Sequence, residues 1–204
     1  MTDSTRAARE DLAFMKAVVE DKGPLPILIG AHMLAVGAPY GLNFILIWAI
    51  YAGLAPWWPQ DLLWGTWIPG TLVYAPASIF LSLRGRGFTA GPTARLFVAA
   101  WSAVGLIIVP TLAVMILAQM QTGVAYVRIW PPLSFVLWGG AWASLGIVRR
   151  KPWHAVVALG SIATALASAA LVESPASWLV MAVGMLLFVA APGAAIMLRA
   201  RWAS

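Results

Sequence analysis

Polar and apolar positions are segregated along this chain into long blocks. From Leu25 to Gly53 no Lys, Arg, Asp or Glu occurs in 29 residues, and from Leu96 to Val127 none occurs in 32. A helix needs roughly 20 residues to cross a hydrocarbon core about 30 Å thick. Both blocks are long enough, and neither shows the sustained alternation of a barrel strand. The pattern predicts an all-α bundle of six spanning helices, at about 26–52, 62–83, 95–118, 131–149, 153–172 and 176–198. Breaks between them are recognisable by composition. Ala55 to Asp61, Arg84 to Phe88, Gln119 to Arg128, Arg149 to Pro152 and Glu173 to Pro175 are all polar or proline-bearing. Pro131-Pro132 opens the fourth span, where a missing N–H costs least.

Composition agrees with this solvent. Only 10% of the residues are charged, against about 25% in soluble domains, and the mean hydropathy is +0.87. A chain of 204 residues with so few charges lacks the material for a polar coat. With no cysteine, disulfides, thiolate metal sites and thiol nucleophiles are excluded. The first apolar block begins only near residue 25 and exceeds a signal-peptide core, so the first span is expected to act as its own insertion signal.

The net charge of +6 would point to nucleic acid in a soluble protein, but its placement gives another account. With six spans, Arg6, Arg9, Lys16, Lys22, Arg84, Arg86, Arg95, Arg149, Arg150, Lys151, Arg199 and Arg201 fall on one side. Arg128 alone of the thirteen basic residues falls on the other. The positive-inside rule makes the basic side cytoplasmic. The expectation is a multi-pass protein of a bacterial-type plasma (inner) membrane with both termini cytoplasmic and no nucleic-acid partner. Trp57, Trp58, Trp64, Trp67, Trp130, Trp153, Trp178 and Trp202 fall at span ends, as an interfacial aromatic belt requires. Trp48, Trp101, Trp138 and Trp142 lie deeper, and the last two share a helix face.

Three regions follow. Residues 1–24 form a cytoplasmic segment in which Ala8, Leu12, Met15 and Val19 recur at helical spacing. They predict an amphipathic helix on the membrane surface or against a protein partner. Residues 25–199 form the spanning domain, and 200–204 a short tail.

No Asp, Glu, Lys or Arg sits in the middle of any span, which weakens the case for proton-coupled transport and for a retinal Schiff base, both of which need such a group. No catalytic, cofactor-binding or metal-ligating residue set is assigned. His32 and His154 offer the sole bis-histidine geometry for a haem, and no cofactor is predicted. The candidate polar pocket comprises His32 and Asn43 on the first span with Thr71, Tyr74 and Ser78 on the second. His32, Pro39 and Asn43 share one face of the first helix, while Gly37 and Gly41 form a G-x-x-x-G on the other. Pro69 and Pro76 interrupt the second helix and free backbone carbonyls. Structural hydrogen bonds alone also explain both sets, between helices for the first and back to its own helix for the second, and that reading is favoured over a pocket. The small residues of the fifth span, among them Ala158, Ser161, Ala165 and Ser168, predict a central packing helix.

What is missing points to a non-enzymatic accessory or sensory component binding a partner protein or an apolar ligand in the bilayer. The alternative is a small-solute transporter or channel using the polar face of the first two spans. The threading is testable directly. Reporter fusions after Trp58 and after Arg150 are expected to report opposite compartments, and a shared compartment would refute six spans.

Overall fold

The computed structural model describes residues 9, 12, 25–58, 67–85 and 92–202. Arg9 and Leu12 are helical, and the remainder of the predicted N-terminal amphipathic helix lies outside the described residues.

The structure is all-α, with no strand among the described residues. Helix α1 spans Leu25–Tyr51, α2 Trp67–Gly85, α3 Pro92–Thr122, α4 Trp130–Arg149 and α5 Pro152–Ala170. The last helix begins as α6 (Ala176–Met185), passes through a π turn at Leu186–Ala190 and continues as α7 (Ala191–Trp202). Among the described residues five helices are long and apolar enough to cross a membrane, and α2 contributes a shorter apolar stretch, Gly70–Leu81. The expected count of six is therefore approximate: five helices are long enough to span, and one apolar helix is shorter.

Local chemistry sets the boundaries. Pro131 and Pro132 occupy the first turn of α4, and Pro152 opens α5. Between them Arg150 adopts a left-handed conformation (φ 49°) and its N–H bonds to the Gly146 carbonyl, closing α4 within a single turn. At the other end of α4 the segment expected as a loop behaves differently. Helix α3 runs on to Thr122 and a 3-10 turn fills Tyr126–Ile129. Gln119 and Gln121 reach the helix end, so their polarity marks the end of the apolar stretch and not the end of the helix.

Helix packing forms a row: α2 on α1, α1 on α6–α7, α6 on α5, α5 on α4 and α4 on α3. Consecutive helices α2 and α3 share no comparable interface. The small residues of α5 fit it between α4 and α6 but not against α1. It is one link of the row, not the hub that its composition predicts. Peripheral α3 has 6% of its apolar stretch buried, against 39–44% for the other four long helices. The core lies between α1, α4, α5 and α6, around Phe135, Trp142, Met181, Met185 and Val189.

At the glycine positions the closest approach of backbone to backbone joins α1 to α6–α7. A Cβ added to Gly30 would lie 2.6 Å from the Gly193 carbonyl oxygen, and one on Gly193 would lie 2.7 Å from that of Gly30. At Gly37 it would lie 2.5 Å from the Ala190 nitrogen, and at Gly41 2.8 Å from a methyl of Leu186. Of the G-x-x-x-G pair, Gly37 thus serves close backbone approach and Gly41 makes room for the Leu186 side chain. The π turn explains how α6–α7 presents itself there. Pro192 has no N–H and its ring would press on the carbonyl four residues earlier. Widening the preceding turn, with the Ala191 N–H reaching back to Leu186, relieves that contact without breaking the helix.

At one end of the bundle Arg128 Nη1 donates to Glu173 Oε2 at 2.7 Å, with both side chains largely exposed. This pair contributes little stability. Its value is topological, since it places the α3–α4 and α5–α6 loops together, as the two intervening helices α4 and α5 require.

Gly37→Val is expected to lower unfolding stability by about 1–3 kcal/mol, because the added side chain meets backbone that cannot yield. Gly105→Ala, where a Cβ meets nothing within 4 Å, is expected to leave stability unchanged or raise it slightly. Reversible unfolding in mixed micelles measures both.

Candidate functional site

A cavity of about 870 Å³ lies between α1, α2, α3 and α4. On α1 it is bounded from Leu28 to Phe44, a step of about 24 Å at 1.5 Å per residue. On α3 it runs from Val98 to Leu112, about 21 Å by the same rise. The cavity is therefore elongated along the helices and reaches through most of a hydrocarbon core about 30 Å thick. Its side between α2 and α3 is the one where the row of helices does not close. There Val98, Ser102, Gly105 and Val109 are exposed.

The lining is aliphatic and aromatic, with no charged residue among the described residues. Its polar side chains are few: His32, Tyr40, Tyr74, Ser102 and Ser134, with the indoles of Trp101, Trp130 and Trp138. Several are held by the protein itself. His32 Nδ1 lies 3.2 Å from the Leu28 carbonyl one turn earlier. Ser134 donates to the Trp130 carbonyl at 3.0 Å, and Trp130 Nε1 donates to the Ile108 carbonyl at 3.3 Å, tying α4 to α3.

Tyr40 is the fulcrum of the α1–α2 contact. Its hydroxyl is 3.0 Å from Thr71 Oγ1, and its ring meets Tyr74 edge-on with centroids 6.1 Å apart. A Cβ on Gly70 would sit 3.3 Å from the Tyr40 ring, so the absence of a side chain there brings α2 down onto the tyrosine. Because α2 has its packed interface with α1 alone, this cluster governs how α2 stands beside the cavity.

The structure brings two of the five expected pocket residues to the cavity, His32 and Tyr74. Thr71 acts one step removed, through Tyr40. Ser78 is half-buried outside the lining. Asn43 is 5% exposed and its Nδ2 has no hydrogen-bond partner among the described residues. It lies on the cavity-facing stripe of α1 but is sealed from the cavity itself.

Sequence reasoning missed Tyr40 and Ser102. The signal for Ser102 was available, as a lone hydroxyl in the apolar first half of α3. Tyr40 lies three residues before Asn43 and so shares its face. The paired tryptophans divide: Trp138 lines the cavity, whereas Trp142 is fully buried. Trp142 meets Trp101 and Trp153 edge-on at 6.1 and 5.4 Å, and His154 stacks on Trp153 at 3.9 Å. His154 is 2% exposed in this aromatic cluster, and the cavity that His32 lines does not include it. The two histidines are not brought to one cavity.

Tyr40→Phe and Thr71→Val are expected to be non-additive, with a coupling of about 0.6 kcal/mol, the average for hydrogen bonds between spanning helices. A double-mutant cycle on unfolding stability measures it, and additive effects would show that the two hydroxyls act independently.

Comparison with known proteins identifies no relative: no family model matches the chain, and neither a curated protein nor a solved structure does.

Proposed function

We propose that this chain is an integral protein of a bacterial-type inner membrane, both termini cytoplasmic, which binds an apolar ligand within the bilayer and performs no chemistry on it. The elongated cavity between α1 and α4 carries this reading. Its volume, about 870 Å³, falls within the roughly 300–1,000 Å³ typical of small-molecule sites. Among the described residues its lining lacks both the charges that a solute pathway uses and any paired acid, base or nucleophile. A hydrocarbon-lined cavity holds water poorly, because each water needs two to four polar partners.

Transport of a small polar solute is the weaker reading. It is favoured by the cluster of Tyr40, Thr71 and Tyr74 but receives no continuous polar track from the lining. A sensory or accessory role would follow from ligand occupancy altering how α2 rests on α1, with the N-terminal segment as the surface offered to a partner protein.

Solvent extraction of protein purified through repeated detergent exchange is expected to yield a near-stoichiometric apolar molecule. Gly105→Trp places an indole beside the cavity where a Cβ has no neighbour within 4 Å. It is expected to cut the retained ligand severalfold while leaving thermal stability intact. Wild-type protein that retains nothing yet passes small polar solutes through liposome walls would overturn the proposal in favour of transport.

A further inference from the structure

Most hydroxyl groups on the described helices find partners, the exceptions being Tyr51, Tyr74, Ser78 and Ser102. Thr111, Ser134, Ser144, Ser161 and Thr164 each donate to the carbonyl four residues earlier. Ser168 and Ser177 are likewise bonded to backbone carbonyls, and Thr71 pairs with Tyr40. Two hydroxyls that line the cavity, Tyr74 Oη on α2 and Ser102 Oγ on α3, make no hydrogen bond among the described residues. They stand on the two helices that flank the unclosed side.

In hydrocarbon an unsatisfied hydroxyl is costly, and serine usually escapes the cost by bonding back to its own helix. Lipid tails are as apolar as the cavity wall, so moving a chain from bilayer to cavity gains almost nothing by burial. Selectivity must then come from shape and from hydrogen bonds. The shape asks for a long chain parallel to the helices. The two hydroxyls can each donate, and the described wall carries no charge, so a neutral group that accepts hydrogen bonds fits the polar end.

Resting on the reading that the cavity binds an apolar ligand, we propose that its ligand is an uncharged long-chain lipid bearing a carbonyl. That oxygen accepts from Tyr74 and Ser102, and access is lateral, between α2 and α3. The shared chemistry is a carbonyl on a long hydrocarbon chain, and its two sources are a fatty ester and a prenyl quinone.

Quenching of tryptophan fluorescence by a brominated long-chain methyl ester tests this, since Trp101, Trp130 and Trp138 border the cavity. Quenching of the full-length protein in detergent is expected to saturate. Unbrominated methyl ester should reverse it. A prenyl quinone quenches indole fluorescence itself, so it is scored instead by displacement of a tritiated methyl ester, and the stronger competitor for that ester names the source. An alkane of equal length, a fatty-acid anion and a zwitterionic phospholipid should compete poorly. Tyr74→Phe and Ser102→Ala should each weaken ester binding about three- to tenfold, the worth of one hydrogen bond, while leaving competition by the alkane unchanged. If alkane and ester compete equally and neither variant alters ester affinity, the carbonyl assignment fails while apolar binding stands. Preferential binding of the anion or the phospholipid also contradicts it. Quenching that never saturates would remove the underlying reading itself.

Discussion

Backbone-to-backbone contact between α1 and α6–α7 organises this bundle. Helices surrounded by lipid gain little from burying apolar surface against each other, so close van der Waals packing has to hold them. Here that packing is available because Gly30, Gly37 and Gly193 lack side chains where carbonyls and amides approach most closely. The π turn ahead of Pro192 keeps α6–α7 continuous while it follows α1. With this seam fixed, the orientation of α1 about its own axis is fixed too. The stripe holding His32, Val36 and Tyr40 is turned away from α6–α7, toward α2, α3 and α4.

The cavity is a consequence of how the row of helices ends. Helix α4 is anchored through α5, and α3 is attached to α4 in part by the Trp130 indole on the Ile108 carbonyl. On the other flank α2 leans on Tyr40. Nothing comparable joins α2 to α3, so the two terminal members of the row leave a gap beside the cavity-facing stripe of α1. In water such an opening, bordered by exposed Val98 and Val109, would collapse or aggregate. In hydrocarbon it is stable because chains can occupy it at little cost. The same indifference of hydrocarbon to hydrocarbon makes the few hydrogen-bonding groups decisive for what is held there.

The fold was largely legible in the sequence because its constraints are one-dimensional. Charge-free runs, Pro131-Pro132, Pro152 and the basic loop at Arg149 to Lys151 mark helix ends without reference to any neighbour. The site was legible only in part. His32 and Tyr74 could be placed on helix faces by spacing, but which face meets which helix depends on the glycine seam, and a heptad-like step cannot rank two faces. Asn43 shows the limit: it lies on the correct stripe and is nevertheless sealed from the cavity. Ser102 shows the converse, since its meaning comes from the absence of a neighbour across the gap. The predicted hub role of α5 failed for a related reason. Small residues permit close packing but do not say how many helices will use it.

The decisive question is whether hydrocarbon or water occupies the space between α1 and α4. The chain contains no cysteine, so a single Gly105→Cys substitution accepts one nitroxide beside the cavity without background. In bilayers the account predicts that its power saturation responds strongly to oxygen and weakly to a water-soluble nickel chelate. Strong relaxation by the chelate would show an aqueous cavity and contradict it.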